Sequence, residues 1–290
     1  MASRPRPPAS GNAAMRAAES SSPSFAAARA VQKYGAVENG GRVTAQPRSL
    51  KIDFASPTSQ ADLSFSVDAV PAVRWGEHWG IPNRRPELWA DADARWIKTD
   101  PVEFTARTDN LSVAKASPTV GGRNAYKPIV RLLRQVRHTH LGDARPGGLY
   151  VEVLAYQAWL AGEVRGDSWA VLLAASLRRV AQRMRTAADA GVTDPVLGTK
   201  MSPALTADQW NSAAERFEGL AKIADEALES SRCMAAKLWR QILGTSERGE
   251  VLPLPPGCAA DGRPVVGISA VTSAGSTESR GFAEAAPEAS

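Results

Sequence analysis

Hydrophobic and polar positions in this chain follow two regimes, a two-residue alternation in the first part and a helical period in the second. In Leu63 to Trp75, Leu63, Phe65, Val67 and Ala69 alternate with Ser64, Ser66 and Asp68, the pattern of a strand with one packed and one polar face. Pro71 has no N–H for a ladder, so the strand is expected to stop near Val70 with Asp68 close to its C-terminal end. Leu50, Ile52 and Phe54 alternate with Lys51 and Asp53 as a second strand, and the break at Ser56 to Gln60 predicts antiparallel neighbours. Two strands alone make no stable sheet, so further pairing partners are required. Val73 to Pro101, with Trp75, Trp79, Trp89 and Trp96 among prolines and charges, reads as an ordered loop pinned by its tryptophans.

From Asn124 onward the period becomes helical. Ile129, Leu132, Leu133 and Val136 form an apolar stripe, opposed by Lys127, Arg131, Arg134 and His138, and Pro128 suits the first turn. Pro146, Gly147 and Gly148 break the chain before Leu149 to Leu160, a helix apolar nearly all round with Glu152 as its one carboxylate. Asp167 or Ser168 caps a helix reaching about Ala190, with Gly191 as its stop. A last long helix begins at Thr206, where Thr206 and Gln209 form a capping box, and runs on one stripe to Gly244.

Both ends have little to bury. Residues 1–24 read as a disordered leader and 251–290 as a disordered tail, with a short helix predicted from Phe25 to Tyr34. Between them, 25–115 form a strand-bearing part and 122–250 a helical lobe, an α+β chain. No apolar run approaches the ~18 residues of a membrane helix. Cys233 and Cys258 lie far apart without a Cys-x-x-Cys spacing, so neither a disulfide framework nor a zinc site is expected, and a reducing cytoplasm is the default. The formal net charge of +5 suits phosphate-bearing partners, nucleic acid included.

Candidate chemistry is sparse. Asp68 is placed as a metal-binding carboxylate at a strand end, although such an aspartate is more often a plain turn residue. Asp91-Ala92-Asp93 is an Asp-x-Asp without an alternating strand to aim both side chains. The stripe of Lys127, Arg131, Arg134 and His138 presents guanidinium forks that match phosphate oxygens, against the ordinary reading of a solvated helix face. Glu152 reads as a buried carboxylate paired with a core arginine or as a hydrogen-bonded structural group. The chain holds no P-loop, no Gly-x-Gly-x-x-Gly and no Gly-x-Ser-x-Gly.

Taken in order, these pieces resemble a known family. Phe65-Ser66-Val67-Asp68-Ala69-Val70-Pro71-Ala72, Trp79-Gly80-Ile81-Pro82, Trp96-Ile97-Lys98-Thr99-Asp100-Pro101, Asn110, the run Tyr126 to Gln135 and Leu149 to Leu154 are similar to the bacterial cGAS-like (SMODS-type) nucleotidyltransferases of the DNA polymerase beta superfamily. Asp194 to Leu197 and Ala235 to Gly244 fit the same helical half. The resemblance implies a polymerase-beta-like palm sheet with a helical lobe, and enzymes that join nucleoside triphosphates into cyclic oligonucleotides for antiphage signalling with Mg²⁺ or Mn²⁺. It implies Asp68 as the third metal carboxylate, Arg131 and Arg134 near the triphosphate, and Asp100 in a loop beside the nucleotide. The family's earlier Gly-Ser turn and Asp-x-Asp strand find no match here. The expectation is therefore an incomplete palm, through truncation or degeneration, and a chain that is inactive by itself because two metal ions need about three carboxylates. The alternative is a non-catalytic nucleotide- or nucleic-acid-binding protein.

Overall fold

The structure, a computed structural model, describes residues 43–45, 49–54, 65–83, 85–92, 94–246 and 249–265. The expected leader, the helix at Phe25 to Tyr34 and the tail beyond 265 lie outside the described residues. The chain divides into two compact units, Met1–Asp109 with Asp194–Thr199, and Asn110–Thr193 with Lys200–Ser290.

The first unit holds two three-stranded antiparallel sheets. In one, β1 (Val43–Ala45), β2 (Leu50–Phe54) and β3 (Phe65–Ala69) lie in that order, and β2 supplies the antiparallel partner that the alternation predicts for β3, with Lys51 opposite Asp68. On the expected packed face of β3, Val67 is 42% exposed and Ala69 half-buried; Asp68, on the other face, is exposed.

The second sheet, β4 (Val73–Trp75), β5 (His78–Pro82) and β6 (Trp96–Thr99), replaces the predicted Trp-pinned loop. Its strands have only three to five residues, too few for alternation to stand out among prolines and charges. Gly80 at its centre is buried, and a Cβ there would meet Trp75 at 3.0 Å and Val73 at 3.2 Å, so the sheet needs glycine to bring these side chains together. A 3₁₀ turn at Pro86–Leu88 links β5 to β6, and the Trp89 indole N–H donates to the Asn83 carbonyl at 2.7 Å, an anchoring use of tryptophan. Helix α1 (Pro101–Val113) follows, with proline at its first position.

The second unit continues through a two-strand ribbon, β7 (Thr119–Val120) and β8 (Arg123–Asn124), into five helices: α2 (Tyr126–Leu141), α3 (Gly148–Leu160), α4 (Trp169–Ala190), α5 (Ala207–Glu229) and α6 (Arg232–Leu243). The predicted capping devices are present. Ser168 Oγ accepts from Val171 N, and Thr206 and Gln209 bond reciprocally at 3.2 and 3.0 Å. Helix α3 buries residues on every side, from Val151 and Val153 to Tyr156 and Trp159, as its apolar run predicts.

The long last helix expected from Thr206 to Gly244 is two helices instead. The chain breaks at Ser230 and Ser231, where the Ser230 hydroxyl donates to the Glu226 carbonyl at 2.8 Å and Ser231 stands extended before α6. A serine able to bond back to its own helix competes with the backbone ladder, and the apolar stripe resumes beyond it at a new angle. Helices α4 and α5 run antiparallel, with Arg178 bonded to Asp225 at 2.5 Å and Arg185 forked onto Glu218 at 2.9 Å for both bonds. Leu172, Leu177, Met184, Trp210, Phe217 and Ile242 are fully buried in this unit.

A ribbon of β9 (Thr245–Ser246) and β10 (Gly249–Glu250) follows α6. Where the sequence predicts the start of a tail, residues 251–265 form a turn with Val265 N bonded to Gly257 O and Ala259 N to Arg263 O. That turn carries Cys258 to Cys233 in the first turn of α6, Cα to Cα 5.2 Å, and the two form a disulfide. The expectation of unpaired cysteines is thereby corrected: a separation of 25 residues excludes nothing when a helix and a ribbon fold the loop back on itself.

Candidate functional site

The four residues singled out by sequence fall in different units: Asp68 and Asp100 in the first, Arg131 and Arg134 in the second. Asp68 lies on β3, opposite Lys51 on β2, a pairing of opposite charges across neighbouring strands.

Asp100 sits where β6 ends and α1 begins. Its Oδ1 accepts the Glu103 backbone N–H at 2.9 Å, the geometry of a helix N-cap, and its Oδ2 is 2.9 Å from His78 Nδ1 on β5. The carboxylate is 8% exposed. The Glu103 N–H first and the His78 hydrogen bond second hold its pKa below the usual carboxylate range, against a smaller opposing effect of burial. Both oxygens thus have partners inside the unit. His78 is the residue that sequence reasoning missed here; the signal was its place on a strand pairing the one that leads into the Thr99-Asp100-Pro101 turn. One residue pair away, the Arg74 guanidinium lies 4.0 Å over the Trp79 ring.

In the second unit, α2 presents the predicted basic face, while its apolar face takes in Val130 and leaves Leu132 half-buried. Ile129, Val130, Leu133 and Val136 are buried, whereas Lys127, Arg131, Arg134 and His138 are exposed. Other polar residues of α2 are structural. Gln135 and Thr139 bond the Leu243 carbonyl at 3.1 and 3.0 Å, and His140 lies 2.8 Å from the Ile242 carbonyl, so α2 caps the C-terminus of α6. The close approach explains Gly244, at φ +65°, where a Cβ would collide with Thr139 at 2.4 Å. Arg137 folds back onto the Ala144 and Pro146 carbonyls, and burial lowers its pKa. The stripe facing solvent is thereby left as the basic surface of this helix. Arg134 Nη1 is 3.7 Å from Glu152 Oε2 on α3, so the lone carboxylate of that helix faces an exposed arginine and not the core arginine expected for it.

Comparison with known proteins gives this arrangement a context. No protein-family model matches the chain. It is 31% identical over 156 residues to a cyclic AMP-AMP-AMP synthase of Acinetobacter sp., a match covering 51% of this chain and 43% of that protein. Three solved structures share its fold. The Vibrio cholerae DncV cyclic AMP-GMP synthase in complex with the linear intermediate pppA(3′,5′)pG gives a TM-score of 0.51 at 14% identity, covering 74% of this chain and 55% of that one. The Bradyrhizobium diazoefficiens CD-NTase CdnG in complex with GTP gives 0.50 at 15% identity, covering 71% and 67%. The Escherichia coli MS115-1 CdnC with ATP gives 0.50 at 14% identity, covering 76% and 71%.

This chain has the fold of the bacterial cGAS-like nucleotidyltransferases. The α+β class and the resemblance read from the motif order stand, and the chain spans less than half the length of the curated relative it matches. In a cGAS-like nucleotidyltransferase the implied metal centre needs clustered carboxylates. Among the described residues no three His, Cys, Asp or Glu side chains gather as such a centre requires, so Asp68 is without the companions that would fit it to a metal pair here. No catalytic step is drawn through a metal on these residues. Among them, also, no helix is long and apolar enough to cross a membrane.

Proposed function

We propose that this chain is a nucleoside-triphosphate-binding protein of the cyclic-oligonucleotide-synthase lineage, with Arg131 and Arg134 contacting the triphosphate and Asp68 the carboxylate inherited from a two-metal site. The observation that carries the reading is the 31% identity to a cyclic AMP-AMP-AMP synthase over half of the chain, on a fold shared with nucleotide complexes of the same kind. The lineage makes antiphage signalling the biological role, and Mg²⁺ or Mn²⁺ the ion that accompanies the nucleotide. Asp100, whose oxygens both bond within its own unit, serves by shaping the turn between β6 and α1 rather than by touching the nucleotide.

Two exposed arginines one helical turn apart can each offer planar N–H donors to phosphate oxygens. The chain is expected to bind and not to turn over, because among the described residues Asp68 stands without the further carboxylates needed to hold the two ions that nucleotidyl transfer uses.

The test is equilibrium titration of the purified chain with ATP and with GTP in the presence of Mg²⁺, and chromatography of the mixture after long incubation. Saturable binding that Arg131→Glu with Arg134→Glu abolishes supports the reading. Absence of binding to either nucleotide sinks it. A cyclic product would overturn the expectation of inactivity, and its loss in Asp68→Asn would then place Asp68 in the active site. Tight, steeply salt-dependent binding of RNA instead of nucleotide would favour a nucleic-acid-binding protein using the same stripe.

A further inference from the structure

Along the exposed stripe of α2, Arg134 is where a carboxylate from another helix reaches the basic residues. Its guanidinium lies across the first turn of α3, with Nε 3.6 Å from where a Cβ would stand on Gly148, and Nη1 3.7 Å from Glu152 Oε2 one turn further on. The arginine side chain is 60% exposed and the glutamate 25%. At 3.7 Å the pair is within electrostatic reach and beyond direct hydrogen-bond distance, so the N–H donors of Arg134 stay available to a further acceptor.

Glu152 is the one carboxylate on a helix whose other positions are apolar or weakly polar, and a carboxylate three-quarters removed from water is stabilised by a charged partner. Beneath it the Tyr126 ring is 1% exposed, and its hydroxyl has no hydrogen-bond partner among the described residues. Burial raises the Tyr126 pKa first and the nearby Glu152 carboxylate raises it further, so the phenol stays neutral and Arg134 is the positive group that balances Glu152.

We infer that Glu152 is a positioning residue, whose carboxylate holds the Arg134 guanidinium over the first turn of α3, where it takes a triphosphate oxygen. An exposed arginine has several rotatable bonds, and each must be fixed when it grips an anion. A carboxylate held on a rigid buried helix fixes part of that side chain before the ligand arrives, which lowers the ordering cost of binding. Longer than a hydrogen bond, the contact biases the guanidinium by charge without consuming its donors. Arg131, without such a brace, contributes charge and less orientation. The inference rests on the nucleotide-binding reading above for what Arg134 is held to do, but the restraint itself is a property of the protein alone.

Two measurements on the intact chain separate these. The first is the NMR order parameter of the Arg134 Nε–Hε group without nucleotide, in the wild type, Glu152→Gln and Glu152→Asp. Loss of order in Glu152→Gln with most of it retained in Glu152→Asp is expected, whereas an equally ordered Arg134 in Glu152→Gln overturns the inference whatever nucleotide does. The second is titration with ATP and Mg²⁺ of the wild type, Glu152→Gln, Arg134→Gln and the double variant. Glu152→Gln is expected to weaken binding roughly fivefold alone and to add nothing once Arg134 is gone, the non-additivity of residues that act as one unit. Additive losses would show that Glu152 acts independently of Arg134 and overturn the inference. Should the wild type bind no ATP while Glu152→Gln still frees Arg134, the nucleotide-binding reading falls and the brace stands.

Discussion

Among the residues whose burial is described, the buried hydrophobic side chains lie in the second unit, between Ala125 and Cys258, whereas the buried positions of the first are Gly80, Asp100 and Thr108. The two halves of the chain are held by different means. A helix satisfies its own backbone and needs only to bury a stripe, so five helices with apolar stripes gather into a packed core. A short strand satisfies its backbone only through neighbours and offers few side chains per face, so the sheet of β4, β5 and β6 leans on individual polar contacts: the Asp100 cap, its His78 partner, the Arg74–Trp79 stack and the Trp89–Asn83 bond. Disturbing the second unit should therefore be costly and global, and disturbing the first cheap and local.

The largest effect that would break this contrast is at Phe217, fully buried on α5. Phe217→Ala is expected to destabilise the second unit by about 3–5 kcal/mol, read as a fall in the denaturant midpoint of the main unfolding transition. A loss below about 1 kcal/mol would mean that the helical core is loosely packed. Next, Cys258→Ser opens the loop of 25 residues that the disulfide closes. Roughly 3 kcal/mol of loop-closure stabilisation is expected to go, with no further change when the variant is treated with reductant. If reductant lowers the midpoint of the variant as well, the cysteine pair is not what ties residues 251–265 to α6.

In the first unit, Asp100→Ala should cost about 1 kcal/mol, the usual worth of a helix cap, and lower the protection of α1 amides against hydrogen exchange while leaving α5 unchanged. The pH dependence has a definite sign. Because the folded state holds the Asp100 pKa below its unfolded value, its contribution is fully present above the ordinary carboxylate pKa of about 3.9 and is lost as the pH falls through the folded value. The difference between wild type and Asp100→Ala should thus be flat above pH ~4 and shrink below it; a difference that grows on acidification would contradict the hydrogen-bond geometry. The smallest effect is at Arg74. Arg74→Ala removes a cation over the Trp79 face and should cost no more than about 0.5–1 kcal/mol, seen as a change in tryptophan fluorescence with little shift in the midpoint.

How much was legible in advance follows the same division. The caps at Ser168 and Thr206, the stop at Gly191 and the two faces of α2 depend on residues within a turn or two of one another, and sequence displays those directly. The pairing of β2 with β3 was equally local, two alternating runs with a short break. The sheet of β4, β5 and β6 was hidden, because pairing Val73 with Gly80 and Gly80 with Lys98 is decided between strands and leaves no mark in runs of three to five residues. Of the candidate site, the residue types at Asp68, Asp100, Arg131 and Arg134 were visible, but not that Asp100 would spend both oxygens on Glu103 and His78.

By itself, then, the sequence determined most of the helices of the second unit, the basic face of α2 and, through the order of its motifs, the resemblance to the cGAS-like nucleotidyltransferases whose fold the chain shares, since each is written in neighbouring residues or in their succession along the chain. Only the tertiary structure decided that Cys233 meets Cys258 and that Arg134 lies beside Glu152. Those outcomes depend on residues brought together by the packing of whole helices, and the free energy that selects them belongs to the core rather than to any local stretch.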